Sequence, residues 1–259
     1  MRGGRGAAPI LACVVFAAAA AAHAAETRGA HAYLRLAPAV ERIARLHAQS
    51  GQDVMGARSR RALAEAVRDF DASLRAALAA APGPEARENY VLLAMLWQDY
   101  REWVHRAPSR ETARKLRERT EEMAWVASKG VRLVSETSRA SVASVALRAS
   151  QAAAASQRIA KAYLWRRWDI RDDTLDRELR EARENLPRAL EAIAAAPDLD
   201  PDLAAHVESA QTQWRFLSDA AAQLDHSPAD KRALEFACKA ADYIYDAMSR
   251  LIEAPAFQP

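Results

Sequence analysis

The chain of 259 residues has only two cysteines and eight glycines, and neither acidic nor basic charge dominates. Few glycines and few β-branched runs argue against a sheet-rich fold and against the glycine-rich loops that cradle phosphates. One of the two cysteines, Cys13, lies in the N-terminal apolar run, leaving Cys238 without an internal partner for a disulfide. Cys238 sits beside Phe236, Ala237 and Ala240, so it reads as a buried structural thiol. Beyond residue 22 no apolar run approaches the ~18 residues needed to span a bilayer.

The first residues read as a processing signal. Arg2 and Arg5 precede the apolar run Ala7–Ala22, and Ala22-His23-Ala24 places small residues around a cleavage point. The expectation is a signal peptide over 1–25, cleaved near Ala24, and an exported, periplasmic mature chain. The whole chain carries 37 Lys+Arg against 34 Asp+Glu. Two of the cations, Arg2 and Arg5, leave with the leader. A nearly neutral remainder offers no broad field for nucleic acid or an anionic membrane.

What is abundant is alanine, with apolar residues at three- and four-residue steps. Leu63, Val67, Phe70, Leu74 and Leu78 form one stripe; Tyr90, Leu93, Trp97, Tyr100 and Val104 form another. Leu203, Val207, Ala210, Trp214, Leu217, Ala221 and Leu224 form a third, and Phe236, Ala240, Tyr243, Ala247 and Leu251 a fourth. Pro82-Gly83-Pro84, Pro108-Ser109, Asp200-Pro201 and Ser227-Pro228 punctuate the pattern with stops, caps and first-turn prolines. Pro187 falls inside a stripe and predicts a kink.

The fold class is therefore all-α: up-down antiparallel helical bundles of about eight helices, over roughly 35–56, 59–81, 84–106, 109–136, 139–168, 172–195, 201–224 and 228–253. The break between the fourth and fifth segments is weak, which leaves open one long central helix. Leu63, Phe70 and Leu74 recur as Leu179, Leu186 and Leu190 at a constant offset of 116 residues. Each stripe is followed by an Ala-Ala-Ala-Pro turn and a tryptophan-bearing helix, with Trp97 and Trp214. This order predicts a duplication, with four-helix units over 26–137 and 138–259.

Ser156 to Leu164 reads SQRIAKAYL. The stretch resembles the signature helix of the type IV pilus methyl-accepting chemotaxis transducer N-terminal domain, a family related to the periplasmic domains of nitrate/nitrite sensors. Ser156, Gln157, Arg158, Ala160, Lys161, Tyr163 and Leu164 carry the likeness. In the first half Leu46, Gln49 and Ser50 fit the nitrate-sensor version. The resemblance implies two diverged tandem units and a sensory or ligand-binding role. In those relatives an arginine of the first helix grips an anion together with its symmetry mate. Here Ala153 occupies that place in the second half and His47 in the first. Alanine supplies no charge, and histidine supplies it only when protonated.

Candidate ligand contacts are Arg45, His47, Arg158 and Lys161. Arg158 and Lys161 share a helix face, whereas Arg45 and His47 do not. The plainer reading makes them a solvated face or partners of nearby carboxylates, with His47 as a solvated or capping residue. Trp165 and Trp168 with Arg166 and Arg167 form an aromatic–basic cluster at a helix end, read as packing. Trp97, Trp103, Trp125 and Trp214 read as core.

Glu102 and His105 give one Glu-x-x-His spacing, but no second copy completes a di-iron set. No metal or cofactor is expected. No nucleophile elbow or Cys/His pairing points to catalysis. The expectation is thus a non-enzymatic sensory protein that takes a small anion or another small ligand and signals through a separate membrane-bound sensor or envelope protein. The alternative is a non-liganding helical scaffold for a protein partner.

Overall fold

A computed structural model describes residues 32–137, 144–197 and 199–254. The expected signal peptide, Cys13, His31 and the joint between the fourth and fifth helices lie outside them. The described residues form eight helices and no strand: α1 (32–51), α2 (Gly56–Ala79), α3 (Pro84–His105), α4 (Arg110–Thr137), α5 (Ser144–Arg167), α6 (Asp173–Ala194), α7 (Pro201–His226) and α8 (Lys231–Glu253). None of them is long and apolar enough to cross a membrane.

Helix ends follow local chemistry. Pro84 and Pro201 occupy first turns, where a missing N–H costs nothing. Asp172 accepts from the Leu175 backbone N–H at 2.9 Å and Asp200 from that of Asp202 at 2.8 Å. Ser109 and Thr112 cap each other's backbone N–H groups, at 2.8 and 3.1 Å. At the start of α8 the sequence expectation fails. The cap is Asp230, accepting from Ala233 at 3.0 Å, rather than Ser227. Pro187 sits within α6, which runs on through it to Ala194.

α1 and α5 run parallel down the middle. Ser150 donates to the Leu34 carbonyl at one end, and Gln52 donates to that of Leu164 at the other. The offset of 116 that relates the α2 and α6 stripes reappears here. It maps Arg45 onto Lys161 and Glu41 onto Gln157. Arg45 bonds Gln157, and Lys161 bonds Glu41, so the two contacts exchange under the shift. Ser150 and Leu34 are themselves 116 residues apart. These pairs have the reciprocity of a local twofold between α1 and α5.

The halves do not form separate bundles. α8 packs on α5 and α7 and also reaches α1 through Arg45–Asp242 and Arg35–Glu253. A single core cluster runs from Ala32 to Ile252 and takes residues from all eight helices. Close approaches need glycine at two places. A Cβ on Gly130 would lie 2.5 Å from the Tyr90 ring, and one on Gly51 would lie 2.6 Å from Trp168.

The α2 and α3 stripes face the core as expected, with Phe70, Leu93 and Tyr100 fully buried. The α8 stripe is corrected. Phe236 and Tyr243 are exposed, while Leu234, Ala237, Cys238, Ala241, Ile244 and Met248 are buried. α8 touches α1, α5 and α7, so its buried face is wider than one seam and is rotated toward the small residues. Trp125, expected in the core, is 63% exposed.

Candidate functional site

α5 has alanine on nearly every side, so neighbouring backbones come close and buried polar side chains define its environment. On the side facing α1 and α8, Arg45 is fully buried and every guanidinium nitrogen is used. Nε donates to Gln157 Oε1 at 2.7 Å, Nη2 to Asp242 Oδ1 at 2.5 Å, and Nη1 to Gln49 Oε1. Gln157 is fixed in turn, because its Nε2 donates to the Ala241 carbonyl at 2.8 Å. Ser156 donates to the Ala153 carbonyl of its own helix at 2.8 Å and lies 3.4 Å from that of Ala241.

One helical turn away, Lys161 is buried with Nζ 2.5 Å from Glu41 Oε2 and 4.5 Å from the centre of the Trp165 ring. Arg158 donates to Glu41 Oε1 from Nε at 3.1 Å and from Nη2 at 2.9 Å. Burial pushes the Glu41 carboxyl up, but Lys161 and Arg158 outweigh it and hold it below the ordinary carboxylate range. Glu178 is pushed the other way. Burial raises it, with help from Glu41 and Glu121 and against the pull of Lys161 and Arg158. Its Oε2 is buried without a hydrogen bond.

Three of the four candidate residues, Arg45, Arg158 and Lys161, thus converge on the α1–α5 seam, each against a carboxylate of the chain itself. His47 does not join them. It is fully buried rather than solvated or capping, and neither ring nitrogen makes a hydrogen bond. Burial lowers its pKa to about 4, although the nearby Arg106 backbone favours the protonated form. At neutral pH it is an uncharged ring and supplies no cation where the resemblance places one. With alanine at 153 and Arg45 held by Gln157, Gln49 and Asp242, the charged groups of the seam are engaged with partners of the chain itself.

The other motif residues also pack. Ala160 and Leu164 are fully buried. Tyr163 donates to Asp225 at 2.8 Å, and Arg183 bonds the same carboxylate at 2.7 Å. Of the aromatic–basic cluster, Trp165 is buried and Arg166 pairs with Asp176 at 2.6 Å, tying α5 to α6.

The open space lies along another face of α5. A groove of about 490 Å³ runs between α4, α5 and α6, with Ala37 of α1 also in its lining. α5 contributes Arg148, Gln151, Ala154, Ala155 and Arg158; α6 contributes Ala182, Asn185, Arg188 and Ala189; α4 contributes Ser128 and Val131. The groove exists because five of these side chains end at Cβ. Its lining holds three arginines and no carboxylate. Arg158 spends Nε and Nη2 on Glu41, and its side chain, 29% exposed, also lines the groove. Arg148 is exposed, and Arg188 has only a loose 3.9 Å approach to Glu184.

Sequence reasoning found Arg158 but missed Arg148, Arg188 and the carboxylate hub Glu41. Glu41 carried a usable signal, as a lone acid among Ala37, Val40, Ala44 and Ala48 on a buried face. No cluster of His, Cys, Asp and Glu among the described residues is arranged to hold a metal ion. Comparison with protein-family models, curated proteins and solved structures finds no match to this chain.

Proposed function

We propose that this chain is an exported, non-catalytic sensory protein that binds a small organic or inorganic anion in the α4–α5–α6 groove. It would report occupancy to a separate membrane-bound partner. The carrying observation is the groove itself, a cleft of ligand size lined by Arg148, Arg158 and Arg188 and by no acid. Guanidinium suits the role because its charge is permanent and its donors form a planar fork that fits carboxylate or oxyanion.

Descent from the transducer N-terminal domain family accords with the SQRIAKAYL helix and with the reciprocal α1–α5 contacts. In this reading the tandem units have brought inside one chain the meeting of first helices that the resemblance places between two. The old anion position has become an internal ion network, and binding has moved to another face of α5. Arg158 belongs to both sites, so an anion drawing on its guanidinium also weakens its hold on Glu41.

Isothermal titration with a panel of carboxylates and inorganic anions, at low and moderate salt, tests the reading. Binding that is lost in Arg148→Gln/Arg188→Gln supports it, and no heat with any anion refutes it.

A scaffold role is the second reading. Trp125, Met95, Phe216, Phe236 and Tyr243 are large, apolar and more than 45% exposed, and such side chains favour protein contacts. Crosslinking in an envelope fraction that yields a partner blocked by Trp125→Ser would favour it.

A further inference from the structure

The arginines of the groove are not clustered but stand at its two ends. Arg148, Gln151, Ala155 and Arg158 follow one another at three- and four-residue steps on α5, so they share a face. Ten residues separate Arg148 from Arg158, which is about 15 Å along a helix axis. α6 runs antiparallel to α5, since Arg166 near the end of α5 pairs with Asp176 near the start of α6. Arg188 therefore lies farther toward the Arg148 end of the groove than Ala182 does. Exposed Arg148 marks one pole, partly buried Arg158 marks the other, and exposed Arg188 faces the groove from α6. Ala154, Ala155 and Ala189 leave an apolar trough between them, with Val131 and Leu147 on its margin.

A small inorganic anion is poorly served at either pole. At the inner pole Arg158 is already half neutralised by Glu41, and Glu178 and Glu181 also act on it. At the outer pole the arginines are exposed to water, where single ion pairs are weak. A ligand that reaches both poles adds the two contacts and covers the trough with apolar chain, so it gains where a point charge does not.

We propose that the groove takes a linear organic dianion, an α,ω-dicarboxylate of medium chain length. One carboxylate sits at Arg158 and the other between Arg148 and Arg188. The proposal rests on the anion-binding reading above and narrows its ligand class. Asn185 and Gln151 stand along the walls as neutral donors to either end.

Titration calorimetry of the full mature chain with suberate, succinate, octanoate and nitrate is the test. Suberate is expected to bind at least tenfold more tightly than succinate, which is too short to bridge, and than octanoate, which lacks one pole. Arg148→Gln/Arg188→Gln should bring suberate down to the octanoate level. Ala154→Leu, which fills the trough, should abolish suberate binding with the thermal unfolding midpoint retained. Arg158→Lys, which keeps the charge facing Glu41, should weaken suberate without unfolding the chain. Equal affinity for octanoate and suberate would overturn the two-pole arrangement. Nitrate or succinate binding as tightly as suberate would also overturn it while leaving the anion-binding reading intact, and absence of binding by all four would remove both.

Discussion

Two faces of the same helix make opposite use of similar residues. Toward α1 and α8, α5 presents Ala153, Ser156, Gln157 and Ala160, and every polar atom there is taken up inside the protein. Toward α4 and α6 it presents Gln151, Ala154, Ala155 and Arg158 to a groove of about 490 Å³. Alanine serves close packing in the first case and leaves space in the second. The difference comes from the neighbours. α8 brings Tyr245 over the Arg42 guanidinium at 4.5 Å and Asp242 against Arg45, whereas α4 brings only Ser128 and Val131 to the groove. A cation in a helical bundle is thus a site or a strut according to what the facing helix supplies.

The contrast can be broken most severely at its hub. Glu41→Ala leaves Lys161 buried without its counter-charge, and such losses cost about 3–5 kcal/mol. Urea denaturation should show a drop of that size, and a loss under 1 kcal/mol would mean that the network contributes little.

Next is acid. The unfolded His47 binds a proton near the ordinary imidazole value, whereas the folded one resists until about pH 4. Stability should therefore fall as pH drops from ~6.5 toward 4, by about 3 kcal/mol in total. His47→Gln should flatten that slope. The lowered Glu41 acts in the same direction at still lower pH, because its contribution is lost as the carboxylate is protonated.

Adding bulk to each face separates them directly. Ala153→Leu, in the sealed seam, should cost at least 1–3 kcal/mol through overpacking. Ala154→Leu, one residue on, should stay within about 0.5 kcal/mol of the parent, as a change into open space does. Similar losses for both would show that the groove closes in solution. The smallest effect belongs to Glu178→Gln. The raised Glu178 carboxyl favours the folded state below its ordinary range and loses that contribution as pH rises through the folded value. The amide should therefore stabilise the chain slightly at neutral pH, seen as a higher melting temperature.

Periodicity was enough to read eight helices and to place Phe70, Leu93, Trp97, Tyr100, Leu217 and Leu224 facing inward. Those helices bury one continuous stripe. It misplaced Phe236 and Tyr243 because α8 is contacted from three directions, and a wide buried face of small residues leaves large ones outside. Trp125 failed for a related reason, since a single large side chain is weak evidence of burial when the stripe around it is not continuous. Arg45, Arg158 and Lys161 were legible as candidates. Their partners were not, because Glu41 is 117 to 120 residues from Arg158 and Lys161, and Asp242 is 197 from Arg45.

By itself the sequence determined the all-α class, the helix order, most of the caps and the 116-residue internal echo, since each depends on near-neighbour spacing and turn chemistry. Tertiary structure alone decided that the halves share one core, that the seam is electrically closed and that a groove opens on another face of α5. Those outcomes depend on which distant side chains come to face one another, and spacing along the chain does not encode that.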